Sequence, residues 1–136
     1  MSKRAGTLYE AKFIVQALAH DLEPHPCPGE YLPHDFLVIN AAGKVMRTQV
    51  KGTGSLEKCH RKTARYKILA TTGNKVKTKI DCTKVDILVA HVEPRDAWYV
   101  IPCMQLSAKT IWLYPDNPDS IAKYEKYRDC WDLFKG

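Results

Sequence analysis

Apolar and polar positions follow two rhythms along this chain, one of three to four residues and one of two. Residues 6–22, GTLYEAKFIVQALAHDL, place Leu8, Ala11, Ile14, Val15, Leu18 and Leu22 at helical spacing, which predicts an amphipathic helix burying that face. Thr7 with Glu10 three residues on is the capping-box pattern and marks the helix start. Pro24, Pro26 and Pro28 forbid continuation and predict an extended connector.

The rhythm then shortens. Residues 35–40, DFLVIN, predict a strand, AAGK a turn around Gly43, and VMRTQVKG the returning strand. On that return Val45, Arg47, Gln49 and Lys51 share one face, and Met46, Thr48 and Val50 the other. Residues 52–65 read as a mobile basic loop. RYKILATT predicts a strand, Gly73–Asn74 a turn, and KVKTKI an alternating basic run. VDILVAHV, EPRD and AWYVIP form a second hairpin, and KTIWLY a short strand. After Pro115 and Pro118, SIAKYEKYRDCWDLF reads as a closing helix that packs Tyr124, Tyr127, Trp131 and Phe134 into the core. Helix, strands, helix predicts one α+β domain over 1–136, a three-layer fold with a mixed central sheet flanked by helices.

Composition changes this picture little. Apolar residues make up 45% and charged residues 26%, ordinary values for a soluble protein. No apolar run reaches membrane-spanning length, and the basic N-terminus has no apolar segment behind it, so a cytoplasmic, nucleoid-associated protein is expected, without a membrane partner. Five cysteines, an odd number with no CxxC pair, predict reduced, scattered thiols. His25, Cys27, Cys59 and His60 lack zinc-finger spacing.

Charge changes it more. Residues 1–80 hold 14 Lys/Arg against 6 Asp/Glu, whereas residues 81–136 hold 7 against 9. Between 44 and 79 there are 11 basic side chains and a single acid, Glu57. Such a one-sided field attracts a polyanion, and Arg47, Lys58, Arg61, Lys62, Arg65, Lys75, Lys77 and Lys79 are the expected DNA contacts.

An acid at the entrance of a hairpin and an ammonium near its exit suit metal-assisted phosphodiester hydrolysis. Mg²⁺ takes oxygen ligands, with one or two carboxylates completed by water and phosphate oxygens. Asp35 supplies a carboxylate, Gln49 an amide oxygen, and the Val50 carbonyl is a further candidate ligand. Lys51, on the face of Gln49, is placed to orient water and offset transition-state charge. Glu10, at the edge of the helical face, can reach the same sheet. Asp86 reads as structural, and His60 as an incidental loop histidine.

Helix Glu10, strand Asp35 and the returning Gln49–Val50–Lys51 resemble the PD-(D/E)xK nuclease superfamily. The helix AGTLYEAKFIVQAL resembles the first helix of archaeal Holliday-junction resolvases. VDILVAHVEPRDAWYVIP and YEKYRDCWDLF resemble nucleases associated with group I introns. The resemblance implies Glu10 as the helix glutamate, Asp35 as the metal-binding aspartate, Gln49 at the variable acidic position and Lys51 as the lysine. Two departures accompany it: His34 separates Pro33 from Asp35, and Gln49 replaces an acid. The implied protein is a Mg²⁺-dependent endonuclease, with Mn²⁺ substituting, of homing or junction-resolving type. A homodimer or homotetramer is expected, because one small domain has little surface for a long site. The alternative is a non-catalytic DNA-binding module on the same fold.

Overall fold

The computed structural model describes residues 3–28, 34–54, 56–58, 64–72 and 77–135. The chain begins with α1 (Lys3–Ala19), β1 (Glu23–Pro26), β2 (Phe36–Ile39) and β3 (Val45–Thr53). It continues through β4 (Leu56–Lys58), β5 (Ala64–Leu69), β6 (Thr71–Thr72), β7 (Thr78–Lys79), β8 (Ile87–Val92), β9 (Ala97–Pro102) and β10 (Thr110–Leu113).

Five strands form a mixed central sheet in the order β1-β2-β3-β8-β9. Every pairing in it is antiparallel except β3 with β8, which run parallel in the register Thr48↔Ile87 to Thr53↔Val92. All six residues of β8 are buried, the signature of a strand covered on both faces. The β2–β3 turn is closed by Asn40, whose Oδ1 accepts the Ala42 and Lys44 N–H groups, while Gly43 takes φ +83°. The Asn40 amide also donates to the Phe134 carbonyl at 2.8 Å and ties the C-terminal segment to this hairpin.

One face of the sheet carries α1. Tyr9, Phe13 and Ala17 pack with Phe36, Val38, Val50, Ile87, Val89, Trp98 and Val100, and with Trp131 and Phe134. Full burial of a side chain such as Phe13 is worth about 1.5–3 kcal/mol. The opposite face is covered by a three-stranded sheet ordered β10-β5-β4. Its inward residues Tyr66, Ile68, Ile111 and Leu113 meet Leu88, Ala90, Tyr99 and Ile101 of the central sheet. The mixed central sheet expected from the sequence is therefore present, with a small sheet as its outer layer on this second face.

Five local expectations need correction. Residues 52–65 are not a plain loop: β3 runs on to Thr53, Leu56–Lys58 form β4 against β5, and Ala64 opens β5. The buried face of α1 is Tyr9–Phe13–Ala17, whereas Leu8, Val15 and Leu18 are exposed. Apolar residues occupy both sides of the helix, and the aromatic side meets the sheet. The helix starts at Lys3, so Thr7 is an exposed mid-helix residue and not its cap. The C-terminal segment forms two 3₁₀ turns, Glu125–Tyr127 and Trp131–Lys135. Between them Arg128 bridges Tyr99, Asp129 adopts φ +53°, and the Asp129 N–H bonds the Trp98 carbonyl. Pairing with the edge of β9 thus replaces a continuous helix. Finally, Cys82 and Cys103 form a disulfide. The β8–β9 hairpin brings their positions together, with the Cys103 N–H on the Asp86 carbonyl. Cys27 and Cys130 are free thiols, and Cys59 and His60 lie outside the described residues.

Candidate active site

β3 is longer than its partner β2, and that mismatch makes the site. Phe36 faces Thr48, and the Asp35 N–H bonds the Thr48 carbonyl at 2.9 Å. Beyond this point β2 has ended, while β3 continues along β8 as far as Thr53. The Asp35 carboxylate takes the place of the missing strand: its Oδ2 accepts the Val50 N–H at 2.8 Å. A strand residue's N–H and C=O point the same way, so the Val50 carbonyl faces this opening as well.

The opening is a cleft of about 180 Å³, lined by Glu10, Asp35, Gln49, Val50 and Lys51 together with Gly6, Tyr9 and Gly52. The acid and the ammonium thus share one side of the sheet. Glu10 arrives from α1 by a close contact that the sequence does not announce. A Cβ on Gly52 would lie 2.4 Å from the Tyr9 ring, so the ring rests directly on the backbone of β3. Tyr9 also meets the His91 ring edge-on. The next residue on the helix, Glu10, is thereby set at the rim.

The charges in the cleft are held against their preference. Burial raises the Asp35 carboxyl above its ordinary pKa, an effect opposed by the Val50 N–H and by Lys51 and His34. Burial and then the charge of Asp35 raise Glu10, with Lys51 opposing. Burial lowers the Lys51 ammonium, and Lys77 lowers it further, against the pull of Asp35 and Glu10. Two reluctant carboxylates beside a reluctant ammonium form a site in which a cation would relieve strain.

The donor set fits a hard divalent cation in one further respect. Gln49 is only 6% exposed, and its Oε1 has no hydrogen-bond partner among the described residues. A buried amide oxygen without a donor carries a desolvation penalty that a coordinated cation removes. Among the described residues, no three His, Cys, Asp or Glu side chains cluster as a metal site, whereas Mg²⁺ needs only one or two carboxylates beside neutral oxygens. Here Gln49 stands where a third acid would otherwise complete the set.

The expected DNA contacts divide. Arg47 is occupied: its guanidinium binds Asp86 at 2.9 and 3.0 Å and the Thr83 carbonyl at 2.8 Å. Arg65 lies over the Trp112 ring at 3.6 Å, and its Nε is buried without a hydrogen-bond partner among the described residues. Lys77 and Lys79 are exposed around β7, with Lys77 close enough to act on Lys51. Lys58 ends β4. Arg61, Lys62 and Lys75 lie outside the described residues.

Tyr9 and Gly52 are the site residues that a reading of the sequence misses. A glycine inside an alternating strand is the available signal, because it often marks the close approach of another element.

Comparison with known proteins accords with this geometry. No curated protein matches the chain. A bacterial homing endonuclease, I-Ssp6803I, has the same fold: TM-score 0.75 at 21% identity, covering 99% of this chain and 95% of that one. The PD-(D/E)XK endonuclease family matches residues 1–132, and the chain belongs to that family. Nucleases of this kind generally use divalent metals.

Proposed function

We propose that this member of the PD-(D/E)XK endonuclease family is a single-domain, Mg²⁺-dependent DNA endonuclease of the homing type, acting as a homodimer or homotetramer. The observation that carries the reading is the convergence of Glu10, Asp35, Gln49 and Lys51 on one cleft, with the Gln49 amide oxygen lacking a donor. Asp35, Gln49 and the Val50 carbonyl would hold Mg²⁺, or Mn²⁺ in its place, with Glu10 as a further carboxylate. A bound ion supplies polarisation of the phosphate and a more acidic water.

The chain's own side chains do the rest. The Val50 N–H fixes one oxygen of Asp35, so the carboxylate keeps its orientation without the ion. Lys51 orients the water and offsets the charge that gathers on the pentacovalent transition state. Its partial burial makes that charge act at low dielectric. Exposed Lys77 and Lys79 would follow the phosphate backbone, with Lys58, Arg65 and, from outside the described residues, Arg61, Lys62 and Lys75 as further candidate contacts. Arg47, already bonded to Asp86 and Thr83, has a structural role here. The named activity of the structural neighbour favours homing over junction resolution.

Purified protein is tested on plasmid and four-way-junction DNA with Mg²⁺ or EDTA. Cuts at one long sequence, dependent on Mg²⁺, are expected. Symmetrical junction nicks would replace homing by resolution. A second reading, DNA binding without cleavage, is favoured by Gln49 in place of an acid. It predicts shifted bands and no product in either condition. Calorimetry separates the two: measurable Mn²⁺ binding by the wild type, tightened in Gln49→Glu, is expected of the nuclease, and no heat in either protein would overturn the metal assignment.

A further inference from the structure

α1 is apolar on both sides. Tyr9, Phe13 and Ala17 face the sheet, while Leu8 (46% exposed), Val15 (64%) and Leu18 (58%) stand outward on the opposite side, with exposed Ala11 between them. A surface helix needs one apolar stripe for its own core, and a second on the opposite side, with Glu10, Lys12 and Gln16 on the flanks between, marks a face with a use beyond folding. The outward residues 8, 11, 15 and 18 are spaced by three, four and three. That is the spacing by which one helix meets another, and it reads the same in both directions. Beside Val15 the stripe borders a shallow groove of about 320 Å³ whose other walls are Trp98, Gln16 and the charged Lys12, Glu93 and Asp96, so the apolar surface ends at its rim.

The charges at the helix ends indicate what covers it. The first turn of α1 holds no acid and carries exposed Arg4, at the end where the helix dipole is positive. The last turn holds no base, and exposed Asp21 follows it, at the negative end. Each charge is unfavourable on its own helix. Both become favourable against a second α1 running the other way. We propose that α1 is a two-fold interface between two copies of this chain, packed antiparallel. Leu8 of one copy meets Leu18 of the other, Ala11 meets Val15, and Arg4 meets Asp21. Such a contact is isologous and closes on itself.

Glu10 and the cleft lie on the sheet side of the helix, so this pairing leaves them open. In purpose, though not in evidence, the inference rests on the nuclease reading, since two clefts related by a two-fold axis suit two antiparallel strands.

The test is mass by sedimentation or light scattering at micromolar concentration, without DNA or metal. The wild type is expected to be a dimer, or a tetramer. Leu18→Glu should weaken the pairing roughly 100-fold or more, giving a monomer (or, from a tetramer, a dimer) with an unchanged circular-dichroism spectrum. Leu18→Ser serves if the charged variant misfolds. Orientation is read by oxidation: Leu8→Cys and Leu18→Cys chains should cross-link when mixed, and neither alone at that site. A monomeric wild type overturns the proposal, as does an oligomer indifferent to both Leu18 variants, or a Leu8→Cys chain that cross-links to itself through that residue. A chain that pairs through α1 yet never cuts DNA would overturn the nuclease reading and leave this one standing.

Discussion

β3 carries two charged clusters four residues apart, and they are built on opposite principles. At Arg47, every strong group has a partner. Asp86 accepts the Arg47 backbone N–H and two guanidinium bonds, Thr83 takes a third, and each ion draws the other further into its charged form. At Lys51 the same kinds of group are left wanting. Burial pushes Asp35 and Glu10 towards neutrality and Lys51 likewise, and the Gln49 oxygen has no donor among the described residues. The first cluster holds the strand. The second holds charge in readiness, and its instability is compensated by the sheet around it.

That contrast can be broken most sharply at Lys51. Lys51→Ala should reduce cleavage about 100-fold or more while leaving thermal stability undiminished. Undiminished cleavage would remove Lys51 from the mechanism. Gly52→Ala comes next. The added methyl would meet the Tyr9 ring at 2.4 Å, so the ring or the helix that carries it must shift. A loss of about 1–3 kcal/mol in chemical denaturation is expected, with slower cutting as far as the helix carries Glu10 along.

Asp86→Ala should destabilise by about 1–2 kcal/mol at neutral pH and leave the chemistry of cutting intact. The sign of its pH dependence is fixed. Arg47 holds the folded carboxyl below its ordinary pKa, so the stabilisation is full above that ordinary value and fades as pH falls through the folded one. The stability gap between wild type and variant should therefore close in acid, and a gap constant with pH would exclude the ion pair as its cause. The smallest expected effect sharpens the comparison most. In Asp35 the shift is opposite, raised by burial, so the ionised group is destabilising at neutral pH and protonation relieves it. Asp35→Asn should match or slightly exceed the wild type in stability while losing metal binding. A drop as large as that of Asp86→Ala would erase the distinction between the clusters.

Period-two alternation along β3 set Gln49 and Lys51 on one face, because a strand has only two faces to choose between, while short apolar runs bounded by turn residues placed β8 and β9. That placed Gln49 and Lys51 together, but Glu10 came from the helix, the roles from the family resemblance, and Tyr9 and Gly52 were not legible. The helix was harder. The stripe of Leu8, Val15 and Leu18 is real, yet periodicity cannot say which of two apolar stripes meets the sheet, and the aromatic side, Tyr9 and Phe13, does so. Arg47 looked like a DNA contact because its partner Asp86 lies 39 residues away. Cys82 and Cys103 are 21 residues apart, and only the hairpin between them makes their meeting visible. The aromatic spacing near the C-terminus correctly marked Tyr124, Trp131 and Phe134 as core, but it could not reveal that the edge of β9 would pull Arg128 and Asp129 out of a helix.

The contact between Tyr9 and Gly52 has a bearing on inheritance. Every single-nucleotide missense change in a glycine codon introduces a side chain, and at position 52 any side chain begins with an atom the tyrosine ring already excludes. The direct compensation is a smaller residue 9 in the same molecule, which makes room for the new atom. Pairwise libraries of the two codons would expose that dependence as survivors in which both have changed together.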